Sequence, residues 1–251
     1  MPETGNITTA LRFMLFGASW CLFLQGLIQC SIVFKRKHNI IWILSIVGLV
    51  SAIVDCTLAM SYSFFGLDLK IYTIAQTPFW ILMIQCASWI YCKRITSLGG
   101  SSVYDEHIRG TPFIILAVQI PTQVTYNLLP YYPSMNFPVL ISGICLSIII
   151  SVCEIYMYIA LLAKIVDLLE YRTSLKKMLV YEITMGLCML VLFDIALVVA
   201  KCSDSSLDIS LRTYTYLLRI VIIIRFFDDL LQNLLMSTIV TESTSVSVES
   251  I

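Results

Sequence analysis

Seven apolar stretches, each long enough to cross a lipid bilayer, follow one another almost without pause along this chain: Leu11–Phe34, Asn39–Tyr62, Ile71–Cys92, Thr111–Pro130, Phe137–Leu162, Met178–Ala200 and Arg212–Ser237. An α-helix rises about 1.5 Å per residue and the hydrocarbon layer is roughly 30 Å thick, so about 20 mainly apolar residues make one crossing. The chain is 59% hydrophobic and only 13% charged, where a soluble domain carries about 25% charge. Apolar residues gathered in long runs, rather than alternating with polar ones, point to spans and not to a soluble core. The expected fold is therefore an all-α integral membrane protein, a seven-transmembrane-helix bundle. Residues 1–10 form a short N-terminus, 11–236 the transmembrane domain and 237–251 a tail.

The net charge is zero, but its distribution orients the chain. Cytoplasmic loops collect Lys and Arg. One side holds ten bases (Lys35, Arg36, Lys37, Lys93, Arg94, Arg109, Lys164, Arg172, Lys176 and Lys177), the other only four (Arg12, Lys70, Lys201 and Arg212). The N-terminus is expected outside and the C-terminus in the cytosol, with the plasma membrane favoured over an endomembrane. The first stretch is too long for a signal peptide, starts without a base and is followed by Lys35-Arg36-Lys37, so it reads as a retained span. Asn6-Ile7-Thr8 fits a glycosylation sequon on the outer side, close to the lipid.

The connections are short. The longest, Lys93–Gly110 and Ala163–Lys177, are cytosolic; the second continues span five as an amphipathic extension. The tail is rich in Ser and Thr (Ser243, Thr244, Ser245, Ser247) with Glu242 and Glu249, a composition that predicts disorder. The nine cysteines form no Cys-x-x-Cys pattern, and no metal or cofactor is expected.

Ionisable residues inside a span cost at least about 2.5–3.5 kcal/mol each to insert, so they point to function more strongly than anything else here. Counting from the span ends puts Asp55, Asp194 and Arg219 at one level, roughly 10 Å below the outer end. Glu154, Asp228 and Asp229 fall at a second level nearer the inner end, with Arg225 one turn above the last two. An outer layer around Arg219 and an inner layer around Arg225 are expected. Both layers serve packing in the plainest reading. In the functional reading the outer one floors a ligand cavity, Arg219 recognises an anionic or polar group, and Glu154, Arg225, Asp228 and Asp229 act as an inner polar switch. Span four adds a polar face through Gln119, Thr122, Gln123, Tyr126 and Asn127, and Pro121 and Pro78 interrupt spans four and three beside Gln76. The ligand-binding candidates are Asp55, Gln76, Gln123, Tyr126, Asp194 and Arg219.

Seven spans, an outer N-terminus, basic inner loops and a hydroxyl-rich inner tail together resemble the architecture of the G-protein-coupled receptors. That resemblance lies in topology and covers the whole chain. Span three ends in Tyr91-Cys92-Lys93-Arg94 where the family has an Asp-Arg-Tyr-type motif. Span seven carries Phe227-Asp228-Asp229-Leu230-Leu231-Gln232-Asn233 where the family has Asn-Pro-x-x-Tyr. No residue role is carried over. A retinal protein needs a lysine in the last span, which holds only Arg219 and Arg225; sugar carriers resemble the chain in length and span number but not in their Pro-Gln motifs. No Gly-x-Ser-x-Gly or His-Glu-x-x-His occurs, His38 and His107 belong to loops, and no enzyme is expected. Scattered bases and zero net charge give no footprint for nucleic acid. The expected function is receptor-like, sensing an extracellular small ligand and signalling to a cytosolic protein through the inner loops. A small-solute or proton-coupled transporter and a structural membrane protein without ligand are the alternatives.

Overall fold

The computed structural model describes residues 3–34, 40–97, 104–132, 134, 136–168, 173–203, 209–222 and 224. All regular structure among them is helical. Six long helices, α1 (Glu3–Phe34), α2 (Ile40–Phe65), α3 (Leu69–Ser97), α4 (Tyr104–Leu128), α5 (Asn136–Leu168) and α6 (Thr173–Cys202), precede a seventh, α7 (209–222). Consecutive helices from α1 to α6 pack against one another, and α3 also meets α5.

The helices alternate in direction. Thr77 of α3 meets Asn127 of α4 near one end, while Gln85 meets Gln119 about two turns further along. Thr213 of α7 lies against Asp55 of α2, whereas Ile220 reaches Gly48 nearer the start of α2. One end of the bundle, here the α2–α3 end, holds the connections α2 to α3, α4 to α5 and α6 to α7. The other is the α3–α4 end.

Chain direction reverses tightly at the α2–α3 end. Gly66 has φ +71°, the left-handed region that a side chain disfavours, and the Leu67 amide returns to the Ser61 carbonyl. Asp68 then accepts the Lys70 amide at 2.8 Å and starts α3. Inside the bundle Gly48 lets helices approach: a Cβ there would lie 3.0 Å from Cys86 Cβ and 3.3 Å from Ile220 Cδ1.

α7 sits at the centre. None of its described residues is exposed, and its side chains reach α2, α3, α5 and α6. The outer helices show the reverse. Tyr181, Met185, Met189, Leu192, Ile195 and Val199 form an exposed apolar stripe on α6, and Ile141, Ile148, Val152, Ile155 and Ile159 do so on α5. Meanwhile Asp55, Gln76, Gln119, Glu154, Asp194 and Arg219 are buried. Polar residues inside and apolar residues outside invert the order of a water-soluble domain.

Three of the helical stretches, Ile7–Ser31, Ile40–Phe65 and Asn136–Lys164, are long and apolar enough to cross a membrane, and Thr184–Ala200 is an apolar stretch of shorter length. α3 and α4 are less apolar because they carry the buried amides and hydroxyls.

Two loop expectations are corrected. The connection expected over Lys93–Gly110 is largely helical, since α3 runs to Ser97 and α4 already begins at Tyr104, so His107 lies on a helix. Asp105 and Glu106 occupy the first turn of α4, where acids oppose the positive end of the helix dipole. Lys164 of α5 then anchors that turn, its Nζ 2.8 Å from Asp105 Oδ1 and donating at 3.0 Å to the Ile95 carbonyl. The continuation of span five past Leu162 is helical as far as Leu168. The tail from residue 237, with Arg225, Asp228 and Asp229 of the expected inner switch, lies outside the described residues.

Candidate functional site

α7 carries two arginines seven residues apart. At about 100° per residue, seven steps return to nearly the same face, roughly 10.5 Å along the axis. Both therefore project into one column of the interior, and each meets a different environment.

Arg219 is only 2% exposed. Its Nε lies 2.7 Å from Glu154 Oε1 on α5, and its Nη2 contacts Asp194 Oδ1 on α6. Ser151, one turn before Glu154 on α5, donates to Asp194 Oδ2 at 2.6 Å. The Tyr216 ring lies beneath the guanidinium, centroid 4.8 Å from Cζ. A cation between two carboxylates ties α5, α6 and α7 together. Toward the α3–α4 end, the Tyr91 and Tyr158 hydroxyls are 2.9 Å apart and join α3 to α5.

This arrangement revises the two expected layers. Glu154 belongs with Arg219 and Asp194, not with an inner group. The count took the span ends as level, but the contact with Arg219 shows that α5 and α7 are offset along the bundle axis, with Glu154 about 21 Å from the end of α5 at Leu168. Asp55 is absent from the Arg219 cluster. It sits nearer the α2–α3 end, where its Oδ2 accepts the Thr213 hydroxyl at 3.2 Å.

Arg212 was counted from the sequence as a base at the outer edge of span seven. The structure buries it to 6% exposure. Its Nη2 donates to Tyr72 Oη and to Gln76 Oε1, each at 3.0 Å. Trp80 and Tyr126 flank it, with ring centroids 5.6 and 5.8 Å from Cζ. Tyr72 is held in turn by stacking on Tyr62 at 4.8 Å.

Beside Arg212 lies a cavity of about 530 Å³ at the α2–α3 end, walled by α3, α4, α5, the end of α6 and Arg212 itself. Its polar lining comes from Trp80, Thr122, Gln123, Tyr126, Asn136 and Arg212; Leu129, Phe137, Val139, Leu140 and Leu146 supply much of the rest. The polar face expected on α4 is real and mostly self-satisfied. Gln123 Nε2 and Asn127 Nδ2 donate to Thr77 Oγ1 at 2.8 and 3.0 Å, and Gln119 bridges Gln85 and the Trp80 carbonyl.

Of the six ligand-binding candidates, Gln123 and Tyr126 line this cavity and Gln76 supports Arg212 from behind. Asp55, Asp194 and Arg219 do not line it. Arg212, missed from the sequence, does. Its signal was present: it stands two turns before Arg219 on the same face.

The chain matches no protein-family model, no curated protein and no solved structure. Among the described residues no group of three or more His, Cys, Asp or Glu is placed to hold a metal ion.

Proposed function

We propose that the chain is a receptor-like protein of the plasma membrane. In this reading seven helices span the bilayer, the N-terminus and the α2–α3 end face outside, and a small ligand in the cavity is reported through α7 to a cytosolic partner at the α3–α4 end. One observation carries the proposal. The central helix places one arginine on the cavity wall and a second, two turns deeper, in an ion cluster with α5 and α6. A ligand that displaces Arg212 acts on the same rigid helix that sets the geometry at Arg219. A two-state element biased from one end is what such signalling requires.

A surplus of acid supports a second reading, proton-coupled transport. Among the described residues Asp55, Glu154 and Asp194 are buried with Arg212 and Arg219, while the third buried base, Lys164, is taken up by Asp105 at the far end of the bundle, so the two arginines face three carboxyls. Carboxyl groups buried within spans are a recurring feature of proton and ion pathways.

Orientation is tested at Cys202, which is exposed and lines the cavity. An impermeant maleimide applied to intact cells is expected to label it, and Cys202→Ala to abolish that label; labelling only after permeabilisation overturns the outward-facing cavity. Function is tested by activation of a cytosolic reporter in cells exposed to fractionated small molecules, with the cavity-filling Leu140→Trp as the silent control. Solute uptake into proteoliposomes that stops in Glu154→Gln, without any reporter response, replaces the receptor by the transporter.

A further inference from the structure

We propose that the cavity takes a monoanion, a carboxylate borne on an aliphatic or aromatic body, with the acid group on Arg212 and the Trp80 indole N–H. The inference deepens the receptor reading and rests on its ligand cavity.

Arg212 is the one charged side chain among the described residues that line the cavity. No carboxylate is among the described lining residues, so the charge on the wall favours an anion over an ammonium group, which meets only neutral acceptors there. The guanidinium is held in place before any ligand arrives, because Tyr72 and Gln76 accept from one of its nitrogens and Trp80 and Tyr126 flank it. A planar guanidinium fixed in this way suits the two oxygens of a carboxylate.

A second observation is independent of the charge. Trp80 is 4% exposed, lines the same cavity, and its Nε1–H has no hydrogen-bond partner. Buried indole N–H groups are normally satisfied. An acceptor arriving in the cavity beside Arg212 satisfies this one.

The remaining wall decides the rest of the molecule. Leu129, Phe137, Val139, Leu140 and Leu146 offer no hydrogen bonds from their side chains. A sugar, with hydroxyls on every side, leaves many of them unmatched against this wall, whereas an apolar body fits. The volume of about 530 Å³ lies within the range of roughly 300–1,000 Å³ usual for small-molecule sites. A free acid from the aqueous side and a fatty acid from the bilayer share this chemistry.

The test uses the full chain in nanodiscs of neutral phosphatidylcholine, titrated calorimetrically with decanoate, decanol and decylamine. Decanoate is expected to bind at least about tenfold more tightly than decanol, with decylamine weakest. Arg212→Gln is expected to erase the margin of decanoate over decanol. Trp80→Phe, which keeps the ring and removes the donor, is expected to weaken decanoate about threefold to tenfold. Leu140→Trp, which leaves Arg212 and its partners in place, is expected to exclude all three probes and keeps the test decisive if Arg212→Gln does not fold. Oleate premixed in the bilayer, competing with decanoate added from water, separates the two sources: competition indicates entry from the lipid, its absence entry from water, and the acid class stands in both cases.

Decanol equal to decanoate, or decylamine the tightest, overturns the anion assignment while leaving a ligand cavity for the receptor. Binding of none of the three overturns the assignment as well. Decanoate binding without any cytosolic response upholds the site and removes the receptor.

Discussion

Arg212 and Arg219 stand on one face of one helix, two turns apart, and the bundle treats them in opposite ways. Arg219 is closed off by Glu154 and Asp194, with Ser151 bracing the second acid. Arg212 is held by a phenol and an amide, flanked by two aromatic rings, and borders the cavity. The difference separates two uses of a buried cation. Where carboxylates surround it the charge binds helices to each other, and removing one partner strands the others in low dielectric. Where a phenol and an amide take its hydrogen bonds and the nearby acid, Asp55, is bonded to Thr213 instead, the guanidinium still borders a space that a ligand can enter.

The sharpest way to break this contrast is Arg219→Leu. It leaves two buried carboxylates without their cation, and a loss of about 3–5 kcal/mol is expected, read as a collapse of thermal stability and yield in detergent. Combining it with Glu154→Leu and Asp194→Leu is expected to restore most of that loss, because an apolar replacement of a whole buried ion cluster is close to neutral. If the triple variant is as unstable as the single one, packing and not charge governs the cluster.

Arg212→Gln comes next. Two hydrogen bonds from a charged donor disappear and Asp55 loses a nearby cation but keeps its bond from Thr213, whereas the Arg219 cluster is untouched, so about 1.5–3 kcal/mol is expected by thermal unfolding. A cost as large as that of Arg219→Leu erases the distinction between the two sites.

Thr77→Val then removes the hydroxyl that both Gln123 and Asn127 address on the cavity side of α4. Interhelical hydrogen bonds in membranes average about 0.6 kcal/mol and reach about 1.7. A loss near the upper figure is expected here, with decanoate affinity reduced because Gln123 lines the cavity.

The smallest effect belongs to Tyr91→Phe, which deletes one hydroxyl from the pair with Tyr158 beyond the Arg219 cluster. About 0.6 kcal/mol is expected, with decanoate affinity unchanged. A large change in affinity instead ties the cavity to the α3–α4 end more closely than the ion cluster does.

Much of this layout is legible in the residue order. The first six apolar stretches fall where helices form, as does the described part of the seventh, and the polar face of α4 is where the repeat of Gln119, Thr122, Gln123, Tyr126 and Asn127 places it. Depth counting brought Asp194 and Arg219 together correctly. It failed for Glu154 because counting from span ends assumes that the ends lie level, whereas the contact of Glu154 with Arg219 shows that α5 and α7 are offset along the bundle axis. It failed for Arg212 because a base beside an apolar run reads as a headgroup anchor. Tyr72, Gln76 and Trp80 on the neighbouring α3, with the buried carboxylate of Asp55 close enough to act on the charge, make burial of that cation tolerable.

By itself the sequence determined the helices of the described residues, apolar on their outer faces, with a few costly polar residues that have to face one another. These properties are local: periodicity sets the face a residue occupies, and helical rise sets its spacing from its neighbours on the same helix. The tertiary structure decided which partner each buried charge meets and which arginine borders empty space. That choice depends on the rotation and axial shift of one helix against the next, set by close approaches such as Gly48 against Cys86 and Ile220. Such shifts are properties of packed pairs and have no counterpart in the periodicity of a single helix.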